Sequence, residues 1–207
     1  MSATPGASGG LTIGVLALQG AYDAHAKRLV ALGATPRLVR VPADLDGLDG
    51  LIMPGGESTT MLRFLDRNGF FETLETYVKS TPTFGTCAGA ILLASDVEGP
   101  AQRSLGALDI TVERNAYGRQ IDSTILTAPT ALPGGPLEMV FIRAPRIACT
   151  GPAVETLATR DGSPTLVRSG NLLAATFHPE LSNDTRVHQL FLDVVRRHRA
   201  NDSKAPV

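Results

Sequence analysis

The chain has 207 residues, the size of one ordinary domain, and its 43% hydrophobic and 19% charged residues are the proportions of a globular protein rather than a disordered or fibrous one. Nineteen Lys and Arg face 20 Asp and Glu, for a net charge of −1. With no basic stripe no nucleic-acid partner is expected, and the densest mid-chain apolar stretch, residues 88–94, is too short to span a membrane. Two cysteines, Cys87 and Cys149, are too few for a disulfide framework and fit a reducing, cytoplasmic setting.

Residues 1–10 (MSATPGASGG) lack the charged and apolar regions of a signal peptide and read as a disordered tail. Residues 11–18 (LTIGVLAL) are a glycine-bounded apolar run, as expected of a strand buried on both faces. Residues 23–32 have helical spacing, and Gly33 is placed to end that helix. Residues 35–41 read as a second strand and 48–53 as a third, which stops at Pro54-Gly55-Gly56. Residues 59–66 and 70–79 read as helices and 82–86 as a short strand, and a further helix begins at Ala88. This alternation predicts a parallel sheet covered by helices on both sides.

The rhythm changes after Ser95. Residues 107–113, 120–127, 138–142, 154–159, 165–168 and 172–177 read as strands without long helices between them, and 98–104 and 130–136 as variable loops. Residues 184–198 close the fold as an amphipathic helix, with Val187, Leu190, Phe191, Val194 and Val195 on one face. The expected architecture is one α/β domain over residues 11–198, with a mostly parallel central sheet, flanking helices and additional antiparallel strands. Residues 199–207 read as a frayed tail.

Three segments carry chemistry. Gly85-Thr86-Cys87-Ala88-Gly89 has the form G-x-C-x-G between a strand and a helix, a nucleophile elbow with sulfur in place of oxygen. The sharp turn demands small neighbours, and the helix beginning at Ala88 directs its positive end at the thiol. The Ala88 N–H, next to the nucleophile, can donate to an oxyanion. The competing reading is a buried core cysteine beside a glycine-rich turn. In Phe177-His178-Pro179-Glu180, Pro179 biases His178 toward extended geometry, where residues two apart project the same way, so Glu180 can reach the imidazole. Such a carboxylate fixes the tautomer and stabilises the imidazolium. Pro54-Gly55-Gly56-Glu57-Ser58-Thr59-Thr60 can turn backbone N–H groups toward an anion. It also reads as a plain turn capped by Ser58 or Thr59; the phosphate-loop pattern is absent.

His188 and His198 read as solvated or structural, His25 as a surface or packing residue, and Cys149 as a buried small apolar residue. No His/Cys cluster has zinc spacing and no G-x-G-x-x-G follows the first strand, so neither a metal nor a cofactor is expected.

In this order the segments resemble the class I (triad) glutamine amidotransferases, and among them the glutaminase subunits of pyridoxal 5′-phosphate synthase. The resemblance also runs through Leu16-Ala17-Leu18-Gln19-Gly20-Ala21, Arg114-Asn115-Ala116-Tyr117-Gly118-Arg119-Gln120 and Phe141-Ile142-Arg143-Ala144-Pro145, and so covers all but the two tails. It implies a flavodoxin-like fold and a triad of Cys87, His178 and Glu180 that hydrolyses L-glutamine through a γ-glutamyl thioester. It implies an oxyanion site at the Gly56 and Ala88 N–H groups and a glutamine pocket of Gly56, Glu57, Ser58, Arg114, Ile142 and Arg143. Two guanidiniums suit an α-carboxylate. It further implies a separate synthase (lyase) chain as partner, since a chain of this length leaves no room for an acceptor domain. The alternatives are a glutaminase serving another synthase, such as imidazole glycerol phosphate synthase, a non-catalytic regulatory module on the same fold, and a cysteine hydrolase of peptides or esters.

Overall fold

The computed structural model describes residues 10–67, 69–114, 116 and 123–203. Its first half alternates as expected: β1 (Thr12–Leu16), α1 (Tyr22–Ala31), β2 (Thr35–Val39), β3 (Gly50–Met53), α2 (Ser58–Leu65), α3 (Phe70–Tyr77), β4 (Thr83–Thr86) and α4 (Ala88–Leu93). The second half is strand-rich: β5 (Ala94–Glu98), β6 (Leu108–Glu113), β7 (Thr124–Ala128), β8 (Leu137–Phe141), β9 (Arg146–Thr150), β10 (Glu155–Arg160), β11 (Ser163–Ser169) and β12 (Leu172–Ala175), closed by α5 (Arg186–Asp202). The main sheet has the order β10-β11-β12-β4-β3-β1-β2, parallel from β12 to β2 and antiparallel at β10 and β11. Two small sheets, β5-β6-β9 and β7-β8, flank it.

Apolar residues run through the inner strands because both faces are covered. Leu51 and Met53 join one core with α2, α3 and α4, while Ile52 points into the other with α1 and α5. Ala174 and its neighbours Leu173 and Ala175 divide the same way, the period-two alternation of a strand in an α/β sandwich. In α5 the predicted face is inside, with Val187, Phe191, Val194 and Val195 buried, and His188 and Leu192 are buried with it.

Several expected elements change. β5 and β9 were not expected. In β5 only Ala94 and Val97 are buried and a register shift between Ala94 and Asp96 breaks the alternation. In the edge strand β9 only Ile147 is buried, too little signal for a strand. The expected strand over 120–127 begins at Thr124, and its first residues lie outside the described ones. The last helix runs on to Asp202, so ordered helix replaces the start of the expected tail. The proposed tail at 1–10 lies, except for Gly10, outside the described residues.

Candidate active site

β3, β4 and β12 are neighbours and parallel, so the segments that follow them emerge side by side at one edge of the sheet. These are the three segments singled out by sequence: the glycine loop after Met53, Cys87 after Thr86, and His178 just beyond Ala175. Crevices at the carboxyl ends of parallel strands are where such folds bind ligands. Cys87 takes φ 48° and ψ −103°, a conformation that costs a non-glycine residue about 1–3 kcal/mol. Its N–H donates to the Ala175 carbonyl at 2.8 Å, which ties the elbow to β12. Close packing explains the flanking glycines: a Cβ on Gly89 would lie 2.0 Å from the Met53 carbonyl oxygen.

Gly55 sits against both reactive side chains. A Cβ there would lie 2.3 Å from Cε1 of His178 and 3.2 Å from Cβ of Cys87. His178 Nδ1 is 2.7 Å from Glu180 Oε1, which leaves Nε2 for the Cys87 thiol. The predicted contact is therefore present, but not by the predicted route. Residues Pro179–Leu181 form a 3-10 turn rather than an extended segment, because a proline at the first helical position favours the turn. The turn swings Glu180 back under the ring. Burial pushes the His178 pKa down, but hydrogen bonds to Cys87 and Glu180, and the negative charge of each, outweigh it and hold the imidazolium up to about 10. Burial pushes Glu180 up, and hydrogen bonding to His178 with electrostatic attraction to His25 and His178 brings it below the usual carboxylate range.

Behind Glu180 the structure decides between the alternatives left open for two histidines: His25 and His188 are fully buried, a packing and a structural residue rather than surface or solvated ones. His25 Nε2 is 3.3 Å from Glu180 Oε2 and 3.2 Å from Thr86 Oγ1, and its Nδ1 is 3.0 Å from His188 Nε2. Arg28, one turn along α1 from His25, donates to the carbonyls of Glu180 and Ser182. A polar residue spaced four from the buried Leu29 on an amphipathic helix was the available sign for His25. His198 is structural, paired with Asn171 and Asp202. Cys149 is exposed, not buried: on the edge strand β9 it pairs with the half-buried Thr111, while Ile147 pairs with the buried Val112.

In front of the triad opens a cavity of about 220 Å³, below the ~300–1,000 Å³ of drug-sized sites and suited to a single amino acid. Cys87 and His178 line it together with Gly56, Glu57, Ser58, Arg114, Ile142 and Arg143, the residues expected from sequence, and with Ile91, which was not. Glu180 and Ala88 lie behind this wall, both buried. Glu57, rather than Ser58 or Thr59, caps α2, accepting from the Thr59 and Thr60 N–H groups at 3.1 and 2.7 Å. The Thr60 hydroxyl and those N–H groups hold its pKa down at about 2. Arg114 Nη2 donates to Thr59 Oγ1 at 2.9 Å and lies 3.9 Å from Glu57, and the rest of its motif, apart from Ala116, falls outside the described residues. Arg143 has φ 44°, a strained backbone at the cavity wall. Ser58 Oγ bonds Gln102 Oε1 at 2.9 Å, and Gln19 Nε2 donates to the Glu57 carbonyl at 2.9 Å across Gly56. Among the described residues no helix is long and apolar enough to cross a membrane.

A cysteine elbow, an imidazole backed by a carboxylate, and a small polar cavity with two arginines define an acyl-transfer site. Residues 15–197 match the SNO glutamine amidotransferase family, and the chain belongs to that family. It is 61% identical over 186 residues to the pyridoxal 5′-phosphate synthase subunit PdxT of Koribacter versatilis, covering 90% of this chain and 96% of that one. The subunit of the same name from Deinococcus radiodurans is 53% identical over 190 residues, 88% of this chain and 96% of the relative. The crystal structure of a glutamine amidotransferase superposes with a TM-score of 0.82 at 44% identity, covering 89% of this chain and 98% of that one. The crystal structure of a putative GMP synthase protein from Thermoplasma acidophilum, at 16% identity and a TM-score of 0.71 over 94% and 98% of the two chains, shares the fold.

Proposed function

We propose that residues 11–198 act as one glutaminase domain that hydrolyses L-glutamine and delivers the ammonia, in the cytoplasm, to a separate pyridoxal 5′-phosphate synthase chain. The observation that carries this reading is the meeting of Cys87, His178 and the two cavity arginines in one amino-acid-sized crevice. The names of the similar subunits support the choice of acceptor.

Glutamine enters with its α-carboxylate toward Arg114 and Arg143 and its amide at Cys87. The thiolate attacks the amide carbon, and the developing oxyanion takes hydrogen bonds from the Gly56 and Ala88 N–H groups. Ala88 N–H opens α4, where the helix supplies no partner of its own, and each such donor is worth roughly 2.7–4 kcal/mol. The imidazolium of His178 gives its proton to the leaving nitrogen, the C–N bond breaks, and ammonia departs from a γ-glutamyl thioester. His178, now neutral, takes a proton from water, whose oxygen attacks the thioester; the C–S bond breaks, glutamate leaves, and the thiolate and imidazolium are restored. Glu180 stabilises the imidazolium whenever it forms and keeps Nε2 facing the sulfur throughout.

The test is to supply the chain with amide-labelled glutamine, a candidate synthase, a pentose phosphate and a triose phosphate. Labelled pyridoxal phosphate that vanishes in Cys87→Ala is the expected result. Label released only as free ammonia would contradict the acceptor assignment.

A further inference from the structure

The reaction above leaves part of the buried polar cluster unused. Glu180 has two carboxylate oxygens, and only Oε1 meets His178. Among the described residues no well-aligned hydrogen bond reaches Oε2, and its polar neighbour is Nε2 of His25 at 3.3 Å. That nitrogen is shared with Thr86 Oγ1 at 3.2 Å, and the other ring nitrogen of His25 meets His188 Nε2 at 3.0 Å. All of these side chains are buried. A carboxylate oxygen shut away from water without a donor is strongly unfavourable, so the approach of His25 calls for a role.

We propose that His25, seated by His188, is the positioning residue of Glu180, donating its Nε2–H toward Oε2 and fixing the carboxylate's rotamer and charge behind His178. The assignment rests on the triad chemistry proposed above. The charge of Glu180 decides the tautomer: a lone pair on Nε2 would face the carboxylate, so the proton sits there. Nδ1 is then an acceptor and takes the N–H of His188 Nε2. Burial keeps both rings neutral, against the pull of Glu180, with His25 pushed down to about 4 and His188 to about 3. Neutrality suits the role, because a cationic His25 would compete with His178 for the Glu180 charge. The same helix grips the backbone of the turn: Arg28, three residues along α1 and so on the same face, donates to the carbonyls of Glu180 at 3.3 Å and Ser182 at 2.5 Å. One helix thus holds both the carboxylate and the turn that carries it.

The test compares His25→Leu, His25→Asn and His25→Gln in the full chain with the synthase chain present, reading glutamine hydrolysis and melting temperature. Gln can present an amide N–H where Nε2 lies, Asn reaches only the Nδ1 position, and Leu offers no donor. The expected result is a kcat about ten- to a hundredfold lower in the Leu and Asn variants, with KM for glutamine within about threefold and most of the loss recovered in His25→Gln. In a Glu180→Ala background His25→Asn should then cost less than about threefold further, because its partner is gone. Where His25→Leu does not fold, the Asn and Gln pair decides. Full kcat in His25→Asn, or a Gln variant no better than Asn at equal melting temperature, overturns the assignment. Hydrolysis that survives Cys87→Ala would instead overturn the triad reading, which no His25 variant addresses.

Discussion

The two sides of His178 are built differently. In front lies an open cavity lined by arginines, glycines and the Cys87 sulfur, where a polar ligand can enter. Behind lies a sealed chain of Glu180, His25, Thr86 and His188, closed to solvent and linked by short contacts from one side chain to the next. The front is made of loops at strand ends, which can approach a ligand. The back is made of α1, α5 and the 3-10 turn, which hold charge and geometry steady. A triad thus needs two environments: one that admits substrate, and one that keeps a carboxylate ionised with no water to help it.

The largest effect should come from the front. Cys87→Ala is expected to lower ammonia release from glutamine by at least about a thousandfold while leaving the melting temperature nearly unchanged, since it deletes the nucleophile and little packing. Activity within tenfold of the parent would place the nucleophile elsewhere.

The back should show itself in stability. Histidines with ordinary pKa 6.5 that fall to about 4 and about 3 on folding bind protons in the unfolded chain but not in the native one. Their contribution is whole above pH 6.5 and is lost as pH falls through these values, so unfolding free energy measured in urea should drop by a few kcal/mol between pH 6.5 and 4.5. Glu180, itself lowered, adds its loss below the ordinary carboxylate range. His178, raised to about 10, acts in the opposite window: its contribution is present below 6.5 and declines as pH rises toward 10. His188→Leu should flatten the acid slope by up to ~1.4 kcal/mol per pH unit, one proton's worth. An unchanged slope would mean that His188 titrates freely.

Gly55 lies where front and back meet, and Gly55→Ala should cut kcat about a hundredfold, because its methyl group displaces the His178 ring. Retained kcat would show that the ring can move without loss. Smaller again, Arg143→Ala should raise KM for glutamine by about tenfold to a hundredfold with a lesser change in kcat, the value of a charge-assisted hydrogen bond of ~1.5–3 kcal/mol. A fall in kcat with unchanged KM would move Arg143 out of the binding site.

The front was far more legible in the sequence than the back. Gly85-Thr86-Cys87-Ala88-Gly89 and Phe177-His178-Pro179-Glu180 carry their chemistry within a few residues, and parallel strand ends bring such segments together by topology alone. The fold's first half was readable for the same reason, in apolar runs alternating with helical spacing. His25 and His188 lie 163 residues apart, and helical spacing that hints at burial does not say which partner the ring meets. Cys149 shows the same limit: whether a small residue on a strand is covered depends on which strand lies beside it and what packs over the sheet. The 3-10 turn at Pro179 is ambiguous in sequence because a proline both extends the residue before it and favours a helical turn after it.

The most direct test of the central claim is to stop the reaction in acid during steady turnover of glutamine and to map adducts by peptide mass. The thioester chemistry predicts one γ-glutamyl group on the tryptic peptide of residues 80–103, which holds Cys87, absent without glutamine and absent in Cys87→Ala, while the peptide of residues 147–160 with the exposed Cys149 stays unmodified. Continued turnover with the Cys87 peptide unmodified, or an adduct on Cys149 alone, would contradict it.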